Sequence, residues 1–139
     1  MIKTYLIDTN ILIRHLTKDD ETKSLIAGQV LEGIKNNKYI GYLSECVICE
    51  AVYVLTSKKI YNIPRELIPN GLLPVLTIPN MEVPDLNIFV VALEYFATTN
   101  LDFEDCVLVA RMERKEFDGI ISFDKGLDKF TGKRVEVVV

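Results

Sequence analysis

Residues 5–12 read YLIDTNIL, an apolar run that stops at three polar residues and then resumes. The bulky and β-branched side chains before this stop predict a β-strand over residues 2–8. Either Thr9 or Asn10 can cap the helix that follows, because their side-chain oxygens can accept hydrogen bonds from its free backbone N–H groups. The stretch therefore predicts a strand that leads directly into a helix, with the carboxylate of Asp8 at the junction.

Strands and helices continue to alternate along the rest of the chain. Further strands are predicted at residues 39–43, 81–83, 119–123 and 135–139. Such alternation favours parallel pairing, since parallel strands require a crossover that is usually a helix. We expect an α/β fold, a three-layer sandwich in which helices flank a mostly parallel central sheet. The predicted helices cover residues 11–16, 45–58, 86–98 and 125–129 and the segment between Asp20 and Asn36, and one more begins at Asp102 or Glu104. Asp19 and Asp20 are predicted to cap the second of these helices along the chain, and Ser44 is predicted to cap the third.

The spacing of apolar residues predicts which helix faces are buried. In the helix after Asp20 the predicted buried stripe consists of Leu25, Ile26, Val30, Leu31 and Ile34. In the helix over residues 86–98 it consists of Ile88, Phe89, Ala92, Leu93 and Phe96. In the helix after Asp102 it consists of Val107, Leu108 and Ala110.

Two prolines, Pro69 and Pro74, interrupt the segment between Arg65 and Leu76. A proline lacks the N–H group that a helix interior needs, so we expect this segment to be kinked or split into short turns. The geometry of any partner surface in this region is left open.

The composition excludes several classes of protein. With 139 residues, 49% of them hydrophobic, the chain is expected to be a single domain over residues 1–139. Its longest apolar stretch, residues 88–93, is far shorter than the roughly 20 residues that a membrane-spanning helix needs. The N-terminus has no signal-peptide pattern, so we expect a cytoplasmic protein with no membrane partner.

The cysteines and the net charge narrow the classes further. An odd count of three cysteines argues against a disulfide framework, and the helical pattern around Cys46 and Cys49 predicts that both are buried in the core. With one histidine, a four-ligand zinc site is not expected. The net charge of −4 does not indicate a nucleic-acid-binding protein, although the carboxylates of a metal site would lower this count.

Four carboxylates, those of Asp8, Glu50, Asp105 and Asp124, lie where a predicted strand or helix ends or turns inward. Asp8 and Asp124 follow predicted strands, and parallel sheets bind ligands outside the carboxyl ends of their strands. Converging carboxylates repel one another unless cations lie between them, and hard divalent cations prefer oxygen ligands. We therefore predict a shared cleft that binds Mg²⁺ or Mn²⁺, as one ion or two.

Each of these carboxylates also has a simpler interpretation. Asp8 could be a turn residue at the end of a strand, and Glu50 an exposed helix residue. Asp105 could be a charge in the first turn of a helix, and Asp124 the N-cap of the helix at Lys125.

Four segments together resemble one family, the PIN domain of the VapC toxin type. They are YLIDTNIL at 5–12, EAVYVL at 50–55, DFED at 102–105 and SFDK at 122–125. The resemblance extends over nearly the whole chain, in the family's order. It implies a metal-dependent endoribonuclease whose acidic site is formed by Asp8, Glu50, Asp105 and Asp124.

The expected roles within this set are unequal. Asp8 and Asp105 are expected to contact metal directly, whereas Glu50 and Asp124 would act through water or position the nucleophile. The supporting groups, expected to hydrogen-bond these carboxylates or else to serve as caps and a strand-end hydroxyl, are Thr9, Asn10 and Ser122. Asp102 is either a helix N-terminal charge, which we favour, or a fifth acid. The candidate phosphate contacts, or else solvated surface charges, are Arg14, Lys125 and Lys129.

The resemblance further implies a toxin that is inhibited by a small VapB-like antitoxin packed into an apolar groove, and a homodimer. Two alternatives of the same fold stay open: an RNA-processing PIN nuclease without a toxin role, and a non-catalytic PIN-like interaction module. An aspartate-dependent phosphatase is disfavoured, because its second acid would stand where this chain has Asn10.

Overall fold

The computed structural model describes residues 1–114 and 116–136, and these form two compact units, Met1–Leu86 and Asn87–Val139. Lys115 and residues 137–139, which include most of the predicted last strand, lie outside the described residues. Each unit is built from parallel strand pairs and helices, so the α/β class with a parallel sheet is confirmed. The prediction of a single domain stays a prediction.

The first unit contains a three-stranded parallel sheet in the order β1-β2-β3. Thr4 pairs with Ile40 across β1 and β2, and Gly41 pairs with Met81 across β2 and β3. Helices form both crossovers, as parallel pairing requires. The elements are β1 (Thr4–Leu6), α1 (Thr9–Thr17), α2 (Glu21–Lys35), β2 (Ile40–Tyr42), α3 (Glu45–Thr56), a 3₁₀ turn (Arg65–Leu67), α4 (Ile68–Leu76) and β3 (Met81–Glu82).

Helices α1, α2 and α3 have short polar residues at their N-cap positions, whereas α4 has Leu67 there. Asp20 accepts a hydrogen bond from the backbone N–H of Lys23 at 3.0 Å, and Ser44 accepts one from Val47 at 3.3 Å. Both caps are as predicted. The prediction for α1 was wrong, because Asp8 occupies the N-cap position and the two residues after it are already helical.

The expectation for the proline-containing segment was partly wrong, because both prolines lie within one nine-residue helix, α4. A 3₁₀ turn precedes α4, and Pro69 lies in the first turn of α4, where its missing N–H has no helical partner to lose. Pro74 lies inside α4 and cannot donate to the carbonyl four residues earlier. The helix ends two residues later, at Leu76.

The predicted buried face of α2 was partly wrong. Leu25 is 65% exposed and Ile26 is 50% exposed, whereas the small residues Ala27 and Gly33 are buried. Gly33 lies so close to Tyr39 that a Cβ there would come within 2.6 Å of the tyrosine hydroxyl. Because α2 packs closely against its neighbours at Ala27 and Gly33, its buried face includes these small residues and leaves Leu25 and Ile26 exposed. Cys46, also predicted to be buried, is exposed on α3.

The second unit is formed around helices α5 (Leu86–Thr98, which begins at the boundary) and α6 (Phe103–Met112). Phe103 stacks on Phe89 with ring centroids 6.4 Å apart and meets Phe96 edge-on at 5.7 Å. All five residues predicted to be buried in α5 are buried, but Leu108 of α6 is 43% exposed. The remaining elements are β4 (Ile120–Ile121), a 3₁₀ turn (Lys125–Lys129) and β5 (Arg134–Val135), with β4 and β5 parallel.

Among the described residues, no helix combines the length and the apolar character needed to cross a bilayer.

Candidate active site

Asp8 lies at the carboxyl end of β1, where the chain passes into α1. Its backbone carbonyl accepts from the N–H of Ile11 at 3.1 Å, which begins the helix. Its side chain is exposed and makes no capping hydrogen bond to the first turn of α1. The backbone carbonyl of Asp8 therefore takes part in the first turn of α1, whereas its carboxylate is not used for capping.

Thr9 connects the start of α1 to the middle of α3. Its hydroxyl donates to Glu50 Oε2 at 3.0 Å, and the residue is only 5% exposed. Glu50 is itself exposed on α3. A buried, β-branched side chain has little rotational freedom, so it can hold one oxygen of Glu50 in place. Asn10, the neighbouring candidate, is exposed.

The second unit contains a cluster of carboxylates at the start of α6. Burial raises the pKa of Asp105, and the nearby charges of Asp124, Asp102 and Glu104 raise it further. Asp102 occupies the N-cap position of α6 but makes no side-chain capping hydrogen bond, so its carboxylate contributes to the cluster. Glu104 is not among the site residues predicted from the sequence, although its position next to Asp105 in the same helical turn was the available signal.

Asp124 begins the 3₁₀ turn that follows β4. Its Oδ1 accepts from the backbone N–H of Gly126 at 2.8 Å, so the N-cap interpretation applies. Its own N–H donates to Ser122 Oγ at 2.9 Å. The Ser122 hydroxyl thus supports the backbone of Asp124 within one tight turn. That it also hydrogen-bonds a site carboxylate stays a prediction.

The candidate phosphate contacts have different surroundings. Arg14 Nη1 donates to both carboxylate oxygens of Asp19 at 2.9 Å. Hydrogen bonds from the Tyr61 hydroxyl and from Arg14 lower the pKa of Asp19 to about 2. Arg14 is therefore engaged in a structural ion pair, whereas Lys125 and Lys129 are exposed in the second unit.

The carboxylate set fits a hard divalent cation by its donor chemistry. Clustered carboxylates disfavour their own ionisation, as at Asp105, and a bound cation would relieve that repulsion. Within the described residues, however, no group of three or more His, Cys, Asp or Glu side chains is already arranged to hold a metal ion. The prediction that all four main carboxylates share one cleft stays a prediction.

Comparison with known families gives one match. The family model of the PIN domain matches residues 5–133, which include all four sequence segments with the main carboxylates. PIN domains are generally metal-dependent nucleases that act on RNA and typically use divalent metals. No curated protein matches the chain.

Proposed function

Because this chain belongs to the PIN domain family, we propose that it is a metal-dependent endoribonuclease that hydrolyses phosphodiester bonds of RNA. The observation that carries the proposal is the family match over residues 5–133, which includes all four main carboxylates. The charges of Asp124, Asp102 and Glu104 near Asp105 support it. Like charges that lie close together destabilise the folded protein. In a member of a nuclease family, such a group of acids therefore favours a functional role.

We assign the catalytic carboxylates as Asp8, Glu50, Asp105 and Asp124, with Asp102 as an additional acid. Asp105 and Asp124 would hold Mg²⁺ or Mn²⁺ in the second unit, and in the first unit Thr9 orients Glu50 through its hydroxyl. When bound, the metal would supply an acidified water and offset charge on the phosphate. The number of ions, one or two, is part of the test.

The test is RNA cleavage by purified protein with and without added Mg²⁺ or Mn²⁺. Asp8→Asn and Asp105→Asn should abolish metal-dependent cleavage, because each removes a charged oxygen ligand but keeps the size of the side chain. Asp118→Asn is the matched control, since Asp118 is an exposed acid of the second unit outside the cluster. Cleavage that survives thorough chelation, or full activity of Asp8→Asn, would contradict the mechanism.

We further propose that the enzyme is the toxin of a toxin–antitoxin pair, as its resemblance to the VapC type implies. A cavity of about 210 Å³ in the first unit supports an antitoxin-binding groove. It lies at α1 and α2, next to the half-exposed Ile26, and a groove of this kind can accept the apolar face of a helix. Its lining residues are Asn10, Ile11, Arg14, Lys23, Ile26 and Ala27.

Induced expression tests the toxin role. Wild-type protein should arrest growth, Asp105→Asn should not, and co-expression of a small partner encoded beside it should restore growth. Harmless expression of an active enzyme would favour the RNA-processing nuclease, and inactivity of a folded protein with every metal would favour the interaction module. The homodimer and the cytoplasmic location are also proposals, and light scattering and cell fractionation test them.

A further inference from the structure

Arg134 of β5 is a largely buried cation that joins three parts of the second unit. Its side chain is only 10% exposed, whereas its partner Asp128 is 52% exposed. Nε donates to Asp128 Oδ1 at 2.8 Å and Nη2 donates to Oδ2 at 3.1 Å. Nη1 donates to the backbone carbonyl of Ser122 at 2.9 Å and lies 3.7 Å from Glu136. One guanidinium therefore connects β5, the 3₁₀ turn and the end of β4.

Ser122, whose carbonyl binds Arg134, also contacts Asp124. Ser122 Oγ accepts from the N–H of Asp124, and Asp124 Oδ1 accepts from the N–H of Gly126. Asp124 is also close enough that its charge, after those of Asp128 and Glu136, contributes to raising the pKa of Arg134. The chain of contacts thus runs from Arg134 through the backbone of Ser122 to the turn that presents Asp124.

Backbone pairing alone holds this turn weakly. Among the residues that the structure describes, which end at Glu136, the ladder between β4 and β5 covers two residue pairs, Ile120 with Arg134 and Ile121 with Val135. A two-stranded ribbon of this length has little stability of its own. After the last of these residue pairs, the backbone N–H of Ser122 donates to the carbonyl of Val135 at 3.2 Å. Arg134 donates to the carbonyl of the same serine.

The chemistry of the contact suits arginine rather than lysine. A guanidinium presents five donors in a fixed plane, so it can clamp both oxygens of one carboxylate and still donate to a carbonyl. An ammonium has the same charge but lacks this fork. Ion pairs with a solvent-exposed partner contribute little to stability, and Asp128 is half exposed, so the effect of this pair is expected mainly in the geometry that it imposes.

We propose that Arg134 is a positioning residue that fixes the turn from Ser122 to Gly126 and thereby holds the carboxylate of Asp124 in the orientation that metal binding requires. The inference rests on the proposed nuclease function for its consequence in catalysis. The positioning itself is a property of the metal-free protein and can be measured there.

The first measurement is amide hydrogen exchange at Gly126 by NMR, in metal-free protein. Arg134→Gln should speed this exchange by roughly 3- to 10-fold, the equivalent of losing one ordinary hydrogen bond. Arg134→Lys should behave like Arg134→Gln, because it keeps the charge but not the fork. Asp128→Asn should give a smaller effect, since it keeps the contact between Arg134 and Ser122. Arg114→Gln is the control, because Arg114 is exposed and its ion pair with Glu116 spans 3.7 Å.

The second measurement is Mn²⁺ affinity by titration calorimetry, together with the kinetics of RNA cleavage. Arg134→Gln should weaken Mn²⁺ binding by about 10-fold, as expected when a group that orients a metal ligand is lost. It should lower kcat at limiting Mn²⁺ and leave KM for RNA unchanged, and circular dichroism should show a folded protein. In an Asp124→Asn background, Arg134→Gln should add no further loss of affinity.

Unchanged exchange at Gly126 in Arg134→Gln would overturn the inference, whatever the activity. Wild-type exchange or affinity in Arg134→Lys would also overturn it, because charge alone would then suffice. An additive loss in the double variant would show that Arg134 does not act through Asp124. If wild-type protein neither binds Mn²⁺ nor cleaves RNA, the proposed function fails, yet the exchange measurement still decides the positioning role.

Discussion

The hydrogen bond between Thr9 and Glu50 allows stability and activity to be separated in one side chain. Thr9→Val removes the hydroxyl that donates to Glu50 Oε2 at 3.0 Å and replaces it with a methyl group of similar size. Thr9→Ser keeps the hydroxyl and removes the methyl group instead. Since Thr9 is 5% exposed, both changes act on a buried side chain.

The two substitutions should rank differently in stability. The lost hydrogen bond costs about 0.5–1.5 kcal/mol, at the low end because Glu50 is exposed and water can replace the donor. The added methyl group recovers up to about 0.8 kcal/mol, so Thr9→Val should change the free energy of unfolding by less than about 1 kcal/mol. That is a shift of at most roughly 5 °C in the thermal midpoint. Thr9→Ser deletes a buried methyl group and should cost about 0.5–1.5 kcal/mol.

Activity should follow the opposite order. Without its donor, Glu50 is free to rotate, and loss of a group that orients a site carboxylate typically costs about 10- to 100-fold. Thr9→Val should therefore lose at least about 10-fold in kcat/KM for RNA, whereas Thr9→Ser should stay within about threefold of wild type. The assay is cleavage of a fluorogenic RNA across a Mn²⁺ titration, with thermal unfolding measured on the same preparations.

A double-mutant cycle tests whether Thr9 acts through Glu50. In a Glu50→Gln background, Thr9→Val should cause little further loss, because the group that it orients has already been disabled. Glu66→Gln provides the matched background, since Glu66 is an exposed acid elsewhere in the first unit. Near-wild-type cleavage by Thr9→Val, or losses that simply multiply in the double variant, would refute the reasoning.

Three further predictions concern single side chains. Asp105→Asn should raise the thermal midpoint of the metal-free protein near neutral pH, because the raised pKa of Asp105 means that folding disfavours its charged form. This gain should shrink as the pH falls to the ordinary carboxyl pKa, and a gain independent of pH would contradict the assignment. Asp19 has the opposite sign: its pKa is lowered from 3.8 to about 2, so it stabilises the fold above that interval and the contribution is lost as the pH falls through it. Asp19→Asn should lower the midpoint near neutral pH and flatten the pH dependence within the interval. Within α2, Gly28→Ala should stabilise by about 0.5–1 kcal/mol, since a Cβ there meets no atom within 4 Å. Gly33→Ala should destabilise by about 1–3 kcal/mol through overpacking against Tyr39. Chemical denaturation measures the free energy of unfolding of both variants, and a change of the same sign in the two would contradict this prediction.

Local signals predicted the elements well. The bounds of α5 and of the 3₁₀ turn Lys125–Lys129 match the sequence predictions, and the caps at Asp20 and Ser44 form as expected. These features depend on residues within a few positions of one another, where capping and apolar spacing operate. The PIN family assignment also follows from the sequence, because ordered motifs carry it.

Predictions of burial and of site contacts fared less well. Leu25, Ile26 and Leu108 have the apolar character of core residues but are exposed, since other residues of α2 and α6 form the buried faces. Ser122 Oγ accepts from the backbone N–H of Asp124, a contact that the sequence did not specify. Arg134 was not singled out, because an arginine in a short terminal strand gives no local signal of its partners.

The sequence by itself determined the α/β class, the order of the elements and the PIN family, because periodicity, caps and motifs depend on residues that are close together along the chain. Only the tertiary structure decided that Thr9 meets Glu50, 41 positions away, and that Asp105 stands among acids that raise its pKa. It also decided that Arg134 donates hydrogen bonds to Ser122 and Asp128. Such contacts depend on which surfaces pack together, and packing is settled by the shape and volume of the whole set of side chains rather than by any one segment.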